Sequence, residues 1–569
     1  ESNFNRFPVN KLYTDHIASI LQVRSWQVEN CVELLEEGAT VPFISRYRKE
    51  RTGTLDEIQV AEIKHYFQKF TELEKRKQSI LSSIEQQGKL TAELRNAIEN
   101  EVEAQTVEDL YLPYRPKRRT RASVAREKGL EPLAVRIWEM QCEQPERDAS
   151  RFVGKEVASV DDALAGARDI IAERLAETAA IRDNLRKIFR ERHITAAVTK
   201  AGKDSPDAAK YRNFFKFNMP LSRIPSHNLL AILRAEGEGF LSVSIDSDAE
   251  KCGKKIYYDF CQEHSYPSGA LADQIHAAVE DAYKRLLEPS ISNEIIREAK
   301  QKADIESINV FGENLKQLLL GAPLGQKRIL AVDPGFRNGC KVVCLDERGD
   351  LLHHEIIFPH PPQNEKVKAI VALDGMIERY GIQAIALGNG TASRETEDFL
   401  RKVHMPADCK VWLVSEDGAS IYSASEVARK EFPTEDVTVR GAVSIGRRLM
   451  DPLAELVKID PKNLGVGQYQ HDVDQTLLRE KLETTVESCV NSVGVNLNTA
   501  SPYLLAYVAG IGPSLAESIV SYRTSNGAFT SRAQLLKVPR LGPKAFEQCA
   551  GFLRIKGGAN PLDASAVHP

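Results

Sequence analysis

Apolar residues recur at spacings of three and four through the first 200 residues, the period of helices that bury one face. Ser25 precedes a run with Val28, Cys31, Val32 and Leu35, and Gly38 is placed to end it in a left-handed cap. Pro42 then opens a short helix bearing Phe43, Ile44 and Tyr47, because a first-turn proline gives up no hydrogen bond. The pair reads as a helix-turn-helix-like unit. Its second helix ends in Arg46, Arg48, Lys49 and Arg51, which suit either a phosphate backbone or a solvated C-terminus favoured by the helix dipole. Thr54 with Glu57 predicts a capping box and a long helix reaching toward Gly88. AGKDSPD, at 201–207, reads as a loop. Helical stretches continue from there to 320, with a short strand at Phe240 to Ile245, and GAPLGQ at 321–326 looks like a boundary. No short-period repeat interrupts this pattern.

From Lys327 the period changes. RILAVDPG is an apolar strand closing on Asp333, Pro334 and Gly335, and strands Cys340 to Leu345 and Leu351 to Ile357 follow, joined by turn residues Glu347 to Asp350. Next come a helix over Glu365 to Tyr380, strand Gln383 to Leu387, helix Arg394 to Val403, strand Lys410 to Val414, helix Ile421 to Glu431 and a final helix from about Arg440 to Val457. Three consecutive strands followed by alternating helix and strand predict a mixed sheet with parallel crossovers. This order resembles the RNase H-like fold, whose enzymes gather carboxylates at strand ends around two divalent ions.

Asp333 stands where the first such carboxylate belongs. Glu395, in GNGTASRE, is the candidate second, in competition with Glu416, and Asp451 is the candidate third. Each also has a structural reading: Asp333 as a turn cap, Glu395 at a helix N-terminus, and Asp451 on a water-facing stripe with Arg447 and Glu455, opposite Leu449, Leu453 and Leu456.

Near the C-terminus, VAGIGPSLA sets Gly510, Ile511, Gly512 and Ala516 in the helix-hairpin-helix pattern, with Ser514 following the second glycine. Such glycines let backbone turn tightly against a phosphate, which then meets unpaired amides at the start of the next helix. A second copy follows 30 residues on: in VPRLGPKA, Gly542 matches Gly512 and Lys544 matches Ser514, while Arg540 replaces the first glycine. Ser501 and Pro502 supply an N-cap and first-turn proline for the helix entering hairpin one.

Composition narrows the classes. At 569 residues the chain exceeds one ordinary core, so several domains are expected. No window approaches the ~20 apolar residues of a membrane span, and no secretory leader pattern opens the chain; a first residue of Glu1 suggests a trimmed chain or a fragment. Nine scattered cysteines without a CxxC pair fit a reduced, cytoplasmic protein. Cys340 and Cys344 fall on one strand face, and His353, His354 and His360 nearby match no zinc spacing, so no metal site or cofactor is expected, save magnesium or manganese if the carboxylates are catalytic. The net charge of −4 requires any nucleic-acid contact to be local. Residues 115–128 hold seven basic residues, among them Arg118, Arg119 and Arg121, against Glu127. Residues 495–556 hold seven against Glu517 and Glu547, a net of +5.

Together, EEGATVPFISRYRKERTGTLDE, DLYLPYRPKRRTRA, LAILRAEGEG, ILAVDPGFRNGCKVVCLD, ALGNGTASRETE, SIYSASEVARKEFP, RGAVSIGRRLMDPLAELVKIDPKNLGVGQYQHDV and the hairpin segment resemble the Tex family of bacterial transcription accessory proteins over nearly the whole chain. One departure is Ala235, where the family pattern has glycine. The resemblance implies a multidomain fold, mainly α, with one α/β RNase H-like domain of YqgF type and a tandem helix-hairpin-helix module. Its expected layout is a helix-turn-helix-like region over 1–75, a helical central region with a small strand element over 76–320, the YqgF-type domain over 327–458, a connector over 459–495, the hairpins over 496–556, and at 557–569 a linker to an OB-fold RNA-binding domain that is left off. It further implies a monomeric scaffold that binds RNA, with DNA as an alternative, has links to RNA polymerase or the ribosome, contacts no membrane, and catalyses no established reaction. The competing expectation is a metal-dependent, structure-selective nuclease built on Asp333, Glu395 and Asp451.

Overall fold

The computed structural model describes residues 10–569; the first nine residues of the region expected over 1–75 lie outside them. The chain divides into two compact units, one of residues 1–32 and 61–305, the other of 33–60 and 306–569.

The first unit is mostly helical around one large apolar cluster, which includes Leu133, Ile137, Leu164, Ile171, Leu185, Phe189 and Ile275. It also carries a three-stranded antiparallel sheet of β1 (His193–Val198), β2 (Lys216–Pro220) and β3 (Leu241–Asp246), ordered β2-β1-β3. Ala196 and Leu241 of the sheet pack with Tyr211, Ile232 and Ala235, so Ala235 fills a core position. The expected strand at Phe240 to Ile245 is β3, and its two partners join it. The expected loop at 201–207 is instead a short helix, Lys200–Asp204, followed by a 3-10 segment, Pro206–Phe214. Thr199 is the reason: its hydroxyl accepts from the Gly202 amide at 3.1 Å and starts the turn.

Ser25–Glu36 and Val41–Tyr47 form as helices, with Gly38 left-handed between them and Thr40 capping the second. The capping box of the long helix Glu57–Gln86 is Asp56 with Gln59 rather than Thr54 with Glu57: the Asp56 amide donates to Gln59 Oε1 at 3.0 Å, and the Gln59 amide to Asp56 Oδ1 at 2.7 Å. Thr54 sits at φ 67°, and its hydroxyl turns back to the Gly53 carbonyl, away from the helix start.

In the second unit, β4 (Ile329–Asp333), β5 (Cys340–Leu345), β6 (Leu351–Ile357), β7 (Ala384–Gly388) and β8 (Lys410–Val414) make a sheet ordered β6-β5-β4-β7-β8. β4 pairs antiparallel with β5 and parallel with β7, and β7 pairs parallel with β8. One face, with Leu330, Val332, Cys340, Val342 and Cys344, packs on helix Lys366–Arg379 through Leu373 and Ile377. The other, with Ile329, Ala331, Val343 and Ala386, packs on helix Val437–Met450 through Ala442, Val443 and Ile445. The fold is therefore multidomain and mainly helical, with the expected α/β layer arrangement in the second unit. The final helix expected over Arg440 to Val457 is broken: Val437–Met450 stops, Asp451 adopts φ −151° and ψ 95°, and Pro452–Leu456 starts anew. Proline lacks an amide proton and forces its predecessor out of helical geometry.

Candidate functional site

The two hairpins repeat one another bond for bond. The Ile511 amide donates to the Val508 carbonyl at 2.9 Å and the Leu541 amide to the Val538 carbonyl at 3.2 Å; the Ala516 amide donates to Gly512 and the Phe546 amide to Gly542, each at 3.0 Å. Val508, Ile511, Val538 and Leu541 are buried, which anchors each corner in the core. Gly510 and Arg540 occupy the same left-handed corner, at φ 77° and 68°. Arg540 therefore replaces glycine without changing the turn, although an L side chain there is disfavoured. Gly512 and Gly542 cap helices Pro513–Asn526 and Pro543–Cys549 with nearly identical extended backbones, and nothing lies within 4 Å of a Cβ built on either.

Gly512, Pro513 and Ser514 are exposed, as are Gly542, Pro543 and Lys544. Ile511 is core, and Gly510 packs inward: a Cβ there would stand 2.4 Å from Gln548 Cβ, so this glycine permits one hairpin to close on the other. The two corners meet where Arg540 Nη1 donates to Ser514 Oγ at 3.2 Å, which puts a guanidinium from hairpin two beside the helix start of hairpin one. Lys544 lies over Gly38, its Nζ 3.3 Å from a Cβ built there.

The positive charge of this window is less available than its count implies. Arg532 is buried, with Nε donating to the Leu553 carbonyl at 3.0 Å; Arg523 donates to the Leu497 carbonyl at 2.8 Å; and Arg554 donates to the Gly551 carbonyl at 2.5 Å. Lys537, Arg540, Lys544 and Lys556 remain exposed. The basic end of helix Val41–Tyr47 is likewise occupied: Arg46 donates to the Asn491 carbonyl at 3.3 Å, Arg48 pairs with Glu547, and Arg51 pairs with Glu33 at 3.0 Å. These side chains serve packing within the unit rather than an open phosphate-facing surface.

The carboxylates at the sheet are not brought together as a triad. Asp333 is half-buried at the end of β4, and burial raises its pKa against the opposing pull of Lys341. Glu395 is exposed in the first turn of helix Ser393–Leu400, where its charge opposes the burial that lowers the pKa of His360. Asp451 is exposed and caps the helix after the break, accepting from the Ala454 amide at 3.2 Å. The carboxyl that does approach Asp333 is Glu416, past the end of β8; its pKa is raised by burial first and by Asp333 second. Glu416 lies over the Gly388–Gly390 turn, where a Cβ on Gly390 would be 1.5 Å from its Oε1, so the glycines there leave room for that carboxylate. Glu455, expected on a water-facing stripe, is buried and paired with Lys458 at 2.8 Å.

Among the described residues no group of three or more His, Cys, Asp or Glu is arranged to hold a metal ion. A two-ion centre needs several converging oxygens, and the carboxylates that act on Glu416 at the sheet end are Asp333 and its neighbour Asp417. Cys340 and Cys344 are in the apolar core, while His353 and His354 turn to Glu355 and Glu435 at 3.4 and 3.3 Å.

Known proteins place this arrangement in a family. Models for a Tex-like protein N-terminal domain, a Tex central region-like segment, a Tex protein YqgF-like domain and a helix-hairpin-helix motif match residues 11–85, 141–311, 327–450 and 490–554. Protein YhgF of Escherichia coli (strain K12) is 46% identical over 99% of this chain and 74% of its own length. The chain belongs to the Tex family. Another member, Transcriptional accessory protein Tex of Neisseria gonorrhoeae, is 46% identical over 96% of this chain and 72% of its own. The similarity extends to S1 RNA-binding domain-containing protein 1 of Homo sapiens, 35% identical over 94% of this chain and 55% of its own. In this Tex chain no helix among the described residues is long and apolar enough to cross a membrane.

Proposed function

We propose that this Tex-family chain is a nucleic-acid-binding accessory factor that grips phosphodiester backbone without reading bases, and that it is not an enzyme. The observation that carries the reading is the exposed start of helix Pro513–Asn526, where Gly512 leaves the backbone open and Arg540 reaches Ser514 at 3.2 Å. Unpaired amides, the positive end of a helix dipole and a guanidinium converge there on the space an anion would take. Lys544 adds a second cation at the matching position of hairpin two. Such contacts hold phosphate and carry no sequence information. The names of the relatives, one a transcriptional accessory protein and one an S1 RNA-binding domain-containing protein, support RNA as the first ligand to test, with DNA as the second.

Fluorescence anisotropy of labelled RNA and DNA against the full chain tests this. R540E with K544E is expected to weaken binding on the order of tenfold or more at low salt; unchanged affinity removes the hairpins from the account. Nine unpaired, buried thiols support a reducing compartment such as the cytoplasm. RNA polymerase or ribosome association is tested by pull-down with and without nuclease, which separates direct partners from those bridged by nucleic acid. The nuclease alternative draws support from the proximity of Asp333 and Glu416 alone. Cleavage of junctions or single strands with magnesium or manganese, lost in D333N, would establish it against the binding-only reading.

A further inference from the structure

We propose that the first unit carries a separate phosphodiester-binding surface formed by Arg118, Arg119 and Arg121. This surface rests on the nucleic-acid reading above, but on none of the hairpin residues. The seven basic residues of 115–128 fall into two groups. Arg115 pairs with Glu108 at 2.7 Å, Lys117 with Glu173 at 3.2 Å and also with Glu177, and Arg126 with Glu173 at 2.9 Å and Glu131 at 2.8 Å. Glu173 is buried and also accepts from Thr120 Oγ1 at 3.0 Å, so a single carboxylate on helix Val160–Ala176 fastens the tract from beneath at three points.

The second group points outward. Arg118, Arg119, Arg121 and Lys128 are exposed; among the described residues Arg118, Arg121 and Lys128 make no ion pair, and Arg119 meets Glu127 at 3.3 Å with both side chains more than 60% exposed. Arg119 and Arg121 flank Thr120, the N-cap of helix Arg121–Glu127, whose first turn has no acidic residue. Cations are disfavoured at that end of a helix, so folding stability does not account for them. A helix this short is not itself the anion site; the arginines are. Arg119, Thr120, Arg121 and Val124 line an open hollow of about 430 Å³, with Asp169 as its acidic wall.

A loop already fastened by Glu173 loses little freedom on binding, and guanidinium forks match phosphate oxygens two at a time. Three arginines within four positions suit a chain of successive phosphates. Among the described residues none of the exposed large hydrophobic side chains falls between Ile58 and Val153 in the chain, which favours a polyanion over a protein partner.

The test uses the full chain, with short single-stranded RNA and duplex DNA in anisotropy titrations over a salt series and polyglutamate as competitor. R118E/R119E/R121E should lower affinity about 10- to 100-fold at low salt and flatten the salt slope by about two, while R118K/R119K/R121K should recover much of the affinity. Thermal melts of both variants should not fall below the parent's, because the three side chains are exposed and cations do not stabilise that helix start. Affinity within twofold of the parent in the reversal variant overturns the surface, and if R540E/K544E still weakens binding, the hairpin reading stands alone. Loss in the reversal variant with none in R540E/K544E supports the surface and removes the hairpins. Polyglutamate that competes as well as RNA at equal charge also overturns it, in favour of an acidic protein partner.

Discussion

Arg540 holds a backbone conformation that costs an L residue about 1 kcal/mol or more relative to glycine, and it does so at φ 68° in a turn whose twin uses Gly510. A residue kept against that cost points to its side chain. Arg540→Gly is expected to raise stability by up to about 1 kcal/mol while weakening nucleic-acid binding; thermal melts and anisotropy read the two effects separately, and a variant that gains stability with no loss of affinity would remove the guanidinium from the site. Gly510→Ala should do the reverse, losing roughly 2–4 kcal/mol, because the new methyl meets Gln548 Cβ at 2.4 Å in a left-handed corner. Glu416 gives the pH-dependent case. Burial and Asp333 raise its pKa in the fold, so its favourable contribution is complete below the ordinary carboxylate pKa and is lost as pH rises through the raised one. Glu416→Gln should therefore melt above the parent at neutral pH, with the gap closing as pH falls through that raised value. A constant gap at every pH would mean that the ionised carboxyl is not the source.

Elements built from consecutive, periodic residues were legible in the chain. Strands β4 to β8 lie within about a residue of the spans that alternation and turn residues indicate, and the hairpins declare themselves by Gly-Pro repeated at 30 residues. Elements that depend on distant partners were not. β1 and β2 are hidden because HITAAV is one-third alanine and KFNMP ends in proline; each is made a strand by pairing with its neighbours in the sheet. The placement of the carboxylates was hidden for the same reason. Periodicity put Asp451 on a continuous helix, whereas Pro452 breaks that helix and turns Asp451 into a cap; only the folded sheet brings Glu416 to Asp333. Asp451→Ala is accordingly expected to cost about 1 kcal/mol, the usual loss for an N-cap, and to leave nucleic-acid affinity and any divalent-ion response unchanged. A melt indistinguishable from the parent, together with an altered ion response, would return Asp451 to the catalytic candidates.

For the whole molecule, a formal charge of −4 means that a polyanion is repelled on average and must be held by a few cations. Counting basic residues overstates them: Arg523, Arg532 and Arg554 are bound to backbone carbonyls, and Arg115, Lys117 and Arg126 to carboxylates. Of the cations that stay exposed, Arg118, Arg119, Arg121, Arg540 and Lys544 are the proposed phosphate ligands. Each displaces somewhat less than one counterion, so the slope of log K against log salt for the full chain should fall between about −3 and −5. A fourfold rise in salt would then weaken binding by about two to three orders of magnitude, for any base sequence of a given length. A slope near zero would mean that stacking or base contacts carry the affinity, and a slope much steeper than −5 would mean that cations outside these two sets take part. Either result would move the binding surface away from the residues that the burial and pairing pattern leaves exposed.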